Sequence, residues 1–391
     1  VSDPYVFYGM AASLYTAKAR SYLRKQGIDY VERVVGDPRY AAEIMPEIGR
    51  LIMPVLQTPD GRIVQDTVDI IEFLDATVAP DSSAFPATPV HRTVAHLLEL
   101  FGGEGLLRPA MHYRWDFDGT NVDFLAKDFS LGLVFRGSDD ERAAVWEMAS
   151  GKMRSATVAF GVSDELIPAI EESYLEFLAL FDAHLAHSPY LLGGRATIGD
   201  HAFMGPLFAH LARDPYPSVI MKQRADRVWR WVERMNTSND DAGEYGDHPG
   251  ELFADDSVPD TLAALLAYIG AEYLDEAVAQ IVAIDDHLAE HPDVVTGEVV
   301  NGKPARRFTG MTTFSWRERP MTVAVVPYRM FLIKRLQDSF ADAAPADQRR
   351  IRSVLEAAGL DPLLDLRPRR WVERSNNREV WGELQEPVRP T

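Results

Sequence analysis

Tyr5-Val-Phe-Tyr-Gly9, then Ser13-Leu-Tyr-Thr-Ala-Lys-Ala-Arg20, then Ile52-Met-Pro-Val-Leu56 and Gln65-Asp-Thr67 are the segments on which the fold of this chain turns. Tyr5–Tyr8 is a short β-branched and aromatic run, which predicts a strand ended by Gly9. From Ser13 to Gln26 the apolar residues Leu14, Ala17, Ala19, Tyr22 and Leu23 recur at roughly helical spacing. Lys18, Arg20, Arg24 and Lys25 lie among them, and Gly27 stands where a helix stops. Tyr30–Val35 reads as a second strand and Arg39–Ile48 as a short helix or irregular segment. Met53–Thr58 and Arg62–Gln65 flank Asp60-Gly61, a pair that tolerates the positive φ of a tight hairpin. Thr67–Ala76 closes the unit as a helix, with Asp66 or Thr67 as its N-cap. This order predicts a small α/β domain of thioredoxin type over residues 1–79.

Pro80, Pro86 and Pro89, with Ser82 and Ser83 between them, predict a linker, after which the texture turns helical. Val90–Leu107 is one helix candidate, interrupted near its end by Gly102, Gly103 and Gly105, and the aromatic segment Met111–Phe117 follows. Asp139–Thr157, Asp164–His187, Thr197–Ala212 and Ser218–Met235 are further helices. Thr197-Ile-Gly-Asp200 is a capping box opening the third of them. The expectation is an all-helical second domain over residues 88–237, bounded by the polar, glycine-rich Asn236–Gly250. Residues 238–391 then form a mixed, mainly helical extension. Pro259–Glu290 is expected as one long or two short helices, and Val299–Phe308 as a hairpin turning at Asn301-Gly302. Met321–Val326 reads as a strand, and Tyr328–Ala341 and Ala346–Ala358 as helices.

At 391 residues the chain exceeds one ordinary core and divides into two or three domains. A formal net charge of -19 without a basic cluster argues against nucleic acid as a partner. No apolar run reaches the roughly 18 residues of a membrane span, and residues 1–20 lack the layout of a signal peptide, so no membrane partner and a cytoplasmic address are expected. The absence of cysteine removes disulfides, thiolate metal sites and a cysteine nucleophile. Any sulfur chemistry must use a sulfur brought by a ligand. Between Arg234 and Lys303 no Lys or Arg occurs while acids recur, and the rest of the chain is rich in Arg. Those two halves either face each other or the body, or are independent solvated faces.

With these features in this order, about the first 235 residues resemble the cytosolic glutathione S-transferases, a thioredoxin-like domain followed by an all-α domain. The resemblance rests on Ser13 to Arg20 leading to Gly27-Ile-Asp-Tyr30, on Met53-Pro54 before a strand, on Gln65-Asp66-Thr67 opening a helix, and on Gly193-Gly-Arg-Ala-Thr197-Ile-Gly-Asp200. It implies glutathione as co-substrate, a small electrophile as second substrate and a homodimer. In serine-type members a hydroxyl at the position of Ser13 donates a hydrogen bond to the glutathione sulfur. A free thiol has a pKa near ~8.5, and each unit of lowering is worth about 1.4 kcal/mol. A hydroxyl donor with the positive end of a helix could supply about two such units. Tyrosine-type members use a phenol at the end of the first strand, where Tyr8 lies. Tyr15 and Thr16 share the first helical turn with Ser13 and stay open as donors.

By the same resemblance Pro54 is a cis-proline, and Met53 offers its backbone to the cysteinyl unit. Asp66 holds the γ-glutamyl ammonium, while Thr67 and the helix mouth hold its carboxylate. Arg50 neutralises the glycyl carboxylate. His112, Tyr113, Arg114 and Trp115 mix stacking surfaces with donors and suit the wall of an acceptor pocket, or core or dimer interface. The histidines carry no metal-ligand spacing, and Gly102-Gly-Glu-Gly105 lacks the residues of a phosphate loop, so no metal or nucleotide is expected. Phe314-Ser-Trp316-Arg-Glu-Arg319 and Tyr328-Arg329 would suit a lid, a clamp or a dimer interface. The function expected is a glutathione transferase acting on an aromatic or conjugated electrophile, with glutathione-dependent ether cleavage, isomerisation or peroxide reduction as variants. The other class of reading is a non-catalytic binding or scaffold protein.

Overall fold

A computed structural model describes residues 4–78, 82–238, 242–246 and 250–390. Pro80 and parts of the Asn236–Gly250 segment lie outside them. The first unit is β1 (Tyr5–Gly9), α1 (Leu14–Lys25), β2 (Tyr30–Val34), a π turn at Tyr40–Ile44 running into α2 (Met45–Ile48), β3 (Val55–Gln57), β4 (Ile63–Gln65) and α3 (Thr67–Val78). Its sheet has the order β2-β1-β3-β4, with β1 parallel to β2 and antiparallel to β3. The register pairs Tyr8 with Val55 and Val55 with Gln65. The loops after β1, before β3 and after β4 therefore leave the sheet at one edge. This is the thioredoxin-like unit predicted from the sequence.

The helices that follow are α4 (Pro89–Leu100), α5 (Leu107–Trp115), α6 (Asp118–Leu133), α7 (Asp139–Ser155), α8 (Ile167–Leu185), α9 (Ile198–Pro206), α10 (Pro215–Arg224) and α11 (Asp226–Met235). The glycine-rich break is a π segment, Phe101–Gly105, which leaves Glu104 buried. Met111–Trp115 of the aromatic segment is the last part of α5, and Phe117 is the N-cap of α6. Helix α6 is not evident in the sequence, because Gly119 and Gly132 dilute its periodicity. The segment Ser218–Met235 is two helices rather than one. The capping box at Thr197 is present, and Asp200 also accepts from the Leu191 N–H at 3.0 Å and Trp231 Nε1 at 3.3 Å.

The extension contains α12 (Asp260–Glu290), β5 (Gly310–Trp316), β6 (Arg319–Val325), α13 (Tyr328–Ala341), α14 (Pro345–Ala357), β7 (Val372–Ser375) and β8 (Arg378–Trp381). Asn301-Gly302 makes a 3-10 turn, and the hairpin is β5–β6, turning at Arg317-Glu318 with φ of 48° and 61°. The expectation of a hairpin at Val299–Phe308 is thereby corrected. Arg317 and Glu318 carry no intrinsic preference for such a turn. Arg317 is held there by Glu272 and Glu176, its Nε lying 2.6 Å from Glu272 Oε1. The β7–β8 hairpin, turning at Asn376-Asn377, was not anticipated.

The extension shares its core with the first two units. Leu262, Leu266, Ile269 and Tyr273 of α12 and Met330, Ile333 and Leu336 of α13 join one cluster with Phe7, Leu56, Leu98 and Phe177. At Gly270 a Cβ would sit 1.9 Å from the Ala358 carbonyl oxygen, so α12 and the end of α14 meet through bare backbone. The acidic stretch does meet the arginines. Glu272 pairs with Arg317, Glu276 with Arg329, and Asp285 with Arg369 and Arg389. Asp256 caps α4 from outside its own element, accepting from the N–H groups of Val90 and His91 at 2.8 Å each. Among the described residues no helix is long and apolar enough to cross a membrane.

Three units meet at Glu99 of α4. Its Oε1 takes Lys18 Nζ of α1 at 2.6 Å, and its Oε2 lies 3.6 Å from Arg335 Nε of α13. Burial alone would push this carboxyl up, but the charges of Lys18 and Arg335 outweigh it and hold the group well below its usual range. A carboxyl so depressed confers stability that is present above the ordinary carboxylate range and lost as the pH falls below about 4. Glu99→Ala leaves two buried cations and should cost about 3–5 kcal/mol in urea unfolding. Its stability should also fall less steeply than that of the parent chain between about pH 5 and 3.

Candidate functional site

The three loops that leave the sheet edge together carry Ser13, Met53-Pro54 and Asp66-Thr67. Ser13 is the N-cap of α1, with extended φ and ψ of -89° and 123°, and its Oγ accepts from the Thr16 N–H at 3.2 Å. Ser is suited to this place because its oxygen satisfies an orphan helix N–H while its own O–H stays available. Among the described residues that O–H has no acceptor. The bond before Pro54 is cis. Neither the N–H nor the C=O of Met53 has a hydrogen-bond partner among the described residues.

Asp66 has φ of 96°, a left-handed conformation that costs a non-glycine residue roughly 1–2 kcal/mol. It is stabilised by capping, since Asp66 Oδ1 accepts from the Val68 N–H at 2.9 Å and from the Tyr328 hydroxyl at 2.7 Å. Asp66 Oδ2 and the Thr67 N–H have no partner among the described residues. Arg50 donates to Gln65 Oε1 at 3.3 Å and to the Pro304 carbonyl, and stands 3.9 Å from Glu379.

The other proposed donors are placed differently. Tyr8 is buried at 1% exposure beside Tyr40, Ile44 and Ile48, and burial followed by the Glu43 charge pushes its phenol up. Thr16 is buried, and its Oγ1 accepts from the Met10 N–H at 3.4 Å. Tyr15 donates to Glu104 at 3.3 Å, and burial together with that carboxylate raises its phenol above the ordinary value.

Of the aromatic segment, Tyr113 stacks on Phe117 and Tyr216 within the helical core. His112 lies between Asp116 at 2.6 Å and Glu171 at 3.2 Å. Arg114 makes a buried bidentate pair with Asp214 at 2.6 and 2.8 Å, and donates to the Ala12 carbonyl at 2.8 Å. It therefore anchors the loop that carries Ser13. Trp115 joins an apolar cluster with Met10, Ala12 and Met111, against which Met53 packs. The hairpin residues Trp316, Met321 and Val323 belong to the same cluster.

Several contacts at this edge were not foreseen from the sequence. Glu104 of the π segment, Arg329 and Glu276 form a buried chain that also takes Arg108, with Arg329 Nε 3.1 Å from Glu104 and Arg108 Nη2 2.6 Å from Glu276. Arg374 donates to the Gln65 carbonyl at 2.7 Å and to Asp69 at 3.0 Å, while Asn377 Oδ1 accepts from the Gln65 N–H at 2.9 Å. The Asn376-Asn377 pair was the only local signal for that hairpin. Nothing local points to its docking more than three hundred residues away in the chain. Among the described residues no group of three or more His, Asp or Glu could hold a metal ion.

Residues 7–82 match the glutathione S-transferase N-terminal domain family, and residues 164–234 match the glutathione S-transferase C-terminal domain family. No curated protein matches the chain. Among solved structures, glutathione transferase GSTFuA3 from Phanerochaete chrysosporium is 17% identical, over 61% of this chain and 98% of that one, with a TM-score of 0.41. The β-etherase LigF from Sphingobium sp. strain SYK-6 is 14% identical over 60% and 95%, also at 0.41. A glutathione S-transferase from Methylobacterium radiotolerans, in complex with glutathione sulfonate, is 19% identical over 66% and 100%, at 0.35.

The geometry of the Ser13 loop is testable at Gly9, where a Cβ would lie 2.4 Å from Thr16 Cγ2. Gly9→Ala should lower stability by about 1–3 kcal/mol. Placed in a Thr16→Ala background, the same change should cost clearly less, which a double-mutant cycle of urea unfolding would read as a coupling between the two sites.

Proposed function

From a chain that belongs to the glutathione S-transferase superfamily, with N- and C-terminal domains and an extension beyond them, we propose an enzyme that activates the glutathione thiol at Ser13 for attack on a small apolar electrophile. The family supports thiol-transfer chemistry in general, and glutathione as the ligand. The observation that carries the finer reading is the set of unfilled polar groups at one sheet edge. Among the described residues, an uncommitted hydroxyl stands at the positive end of α1, an unpaired peptide unit at Met53, and a free carboxylate oxygen beside a free helix N–H at Asp66-Thr67. A γ-glutamyl peptide with a thiol presents the matching groups in that order: a sulfur, a backbone, and an ammonium beside a carboxylate.

Ser13 is preferred to Tyr8 as the sulfur donor, because Ser13 is half-exposed and Tyr8 is turned into a closed cluster. Thr16 is already used by Met10, and Tyr15 by Glu104. Arg50 is occupied by Gln65 and Pro304, so in this reading it holds the extension in place at least as much as a glycyl carboxylate. For the acceptor, the half-exposed Met53 presents an apolar surface backed by the buried Met10, Met111 and Trp115, which favours an apolar or aromatic molecule. His112, Tyr113 and Arg114 act behind that surface, with Arg114 positioning Ala12. The extension serves as wall and lid, since its β5–β6 hairpin closes the apolar cluster and excludes water. The domain limits near residues 79, 88 and 237, the homodimer and the cytoplasmic address belong to this proposal as well.

One feature favours the scaffold reading. Tyr328, Arg374 and Asn377 of the extension already hydrogen-bond at Gln65 and Asp66. Calorimetry separates the two, for binding of glutathione at millimolar concentration is expected of the enzyme, and its absence would leave the scaffold. Ser13→Ala should raise the pKa of the bound thiol by about one unit, or about 1.4 kcal/mol, as read from thiolate absorbance. Tyr8→Phe should leave it unchanged, and the opposite pattern would move the donor role to Tyr8.

A further inference from the structure

Between α3 and the tip of the β7–β8 hairpin, along β4, lies an open cleft of about 500 Å³, within the roughly 300–1,000 Å³ of small-molecule sites. Asp69, Glu72 and Phe73 line it from one face of α3, and Ile63 and Val64 line it from β4. The hairpin tip is fixed in place, because Asn377 Oδ1 accepts from the Gln65 N–H at 2.9 Å and Asn377 Nδ2 donates to the Ile63 carbonyl at 3.2 Å. The cleft is therefore preformed. None of the groups assigned to glutathione above lines it.

The charges that line the cleft are unequally committed. Glu72 is paired with Arg335, and Asp69 Oδ2 accepts from Arg374 Nε at 3.0 Å. Arg374 Nη2 is given to the Gln65 carbonyl at 2.7 Å, but Arg374 Nη1 is buried without a partner among the described residues, in a side chain only 6% exposed. A buried donor left in that state costs about 1–3 kcal/mol, which an incoming acceptor would recover. Arg62 is exposed and lies over the Phe73 ring, its guanidinium carbon 4.8 Å from the centroid, and it makes no side-chain hydrogen bond or ion pair with any described residue. Each acid of the cleft thus has a cation, whereas one whole guanidinium and one N–H of another are left over.

That surplus suits an anion of single charge, since a dianion would also face the carboxylates of Asp69 and Glu72. Arg takes a planar carboxylate through parallel N–H donors, and Ile63, Val64 and Phe73 offer apolar surface to the rest of such a molecule. We propose that this cleft is a second ligand site, which binds a small carboxylate with an apolar body through Arg62 and Arg374. The extension creates the site by laying the β7–β8 hairpin against β4.

The test is calorimetry on the full chain, without glutathione, using benzoate and its uncharged counterpart benzamide. The parent is expected to bind benzoate at millimolar concentration, and at least about tenfold more tightly than benzamide. Arg62→Gln should weaken benzoate about tenfold, the loss of one charge-assisted contact, and leave the affinity for benzamide unchanged. Asp69→Asn removes the acid that competes for Arg374, and should bind benzoate more tightly than the parent, a gain that damage to the fold would not produce. Benzoate bound no better than benzamide overturns the proposal. So do equal binding of benzoate by parent and Arg62→Gln, equal losses for both ligands, or an Asp69→Asn variant without the gain. Because no thiol is present, the result does not depend on whether glutathione binds at Ser13.

Discussion

Glu99 is the point at which the three parts of the chain are held to one geometry. It is buried in α4, yet it receives a cation from α1 and another from α13. A lone carboxylate could not remain ionised at such a place. Supplied with two partners it becomes a directional constraint, because each cation must approach a different oxygen. Arg335 also reaches Glu72 of α3, and His96 lies 3.3 Å from Glu99. The position of α1, and with it the mouth where Ser13 sits, thus depends on residues more than eighty and three hundred positions away.

The charge asymmetry of the last third of the chain follows the same logic. Helix α12 carries acids and no Lys or Arg, and its inward acids would be untenable without Arg317, Arg329, Arg369 and Arg389. The chain separates the two signs in sequence and brings them together in space. Apolar residues of α12 and α13 then complete a core begun by the sheet and the helical unit. An extension bound in this way belongs to the body of the molecule. It reaches the sheet edge three times, through the strap at Pro304, through Tyr328, and through the β7–β8 hairpin.

At the site the architecture divides labour between loops and their supports. Among the described residues, the loops at Ser13, Met53 and Asp66 present polar groups without partners, whereas Arg114, Thr16 and Tyr328 beneath them are hydrogen-bonded. Arg114 holds Ala12, Thr16 holds Met10, and Tyr328 holds Asp66. Free groups that stand on rigid supports are preorganised for a ligand, and little conformational entropy is lost when it arrives.

Local chemistry made much of this legible. Gly9, Gly27 and the Asp60-Gly61 turn delimit the elements of the first unit, and the Thr197 box marks α9, because each is decided by residues within a few positions of one another. The motifs at Ser13, Met53-Pro54 and Asp66-Thr67 could be named for that reason. What the sequence determined by itself was the order of elements, the resemblance of the first 235 residues and the segregation of charge. Only the tertiary structure decided that Arg317-Glu318 and not Asn301-Gly302 turns a hairpin, since ion pairs to Glu272 outweigh local turn preference. It likewise decided that His112, Tyr113 and Arg114 face inward. Those outcomes depend on contacts between residues tens to hundreds of positions apart, whose energies have no signature in any local stretch of the chain.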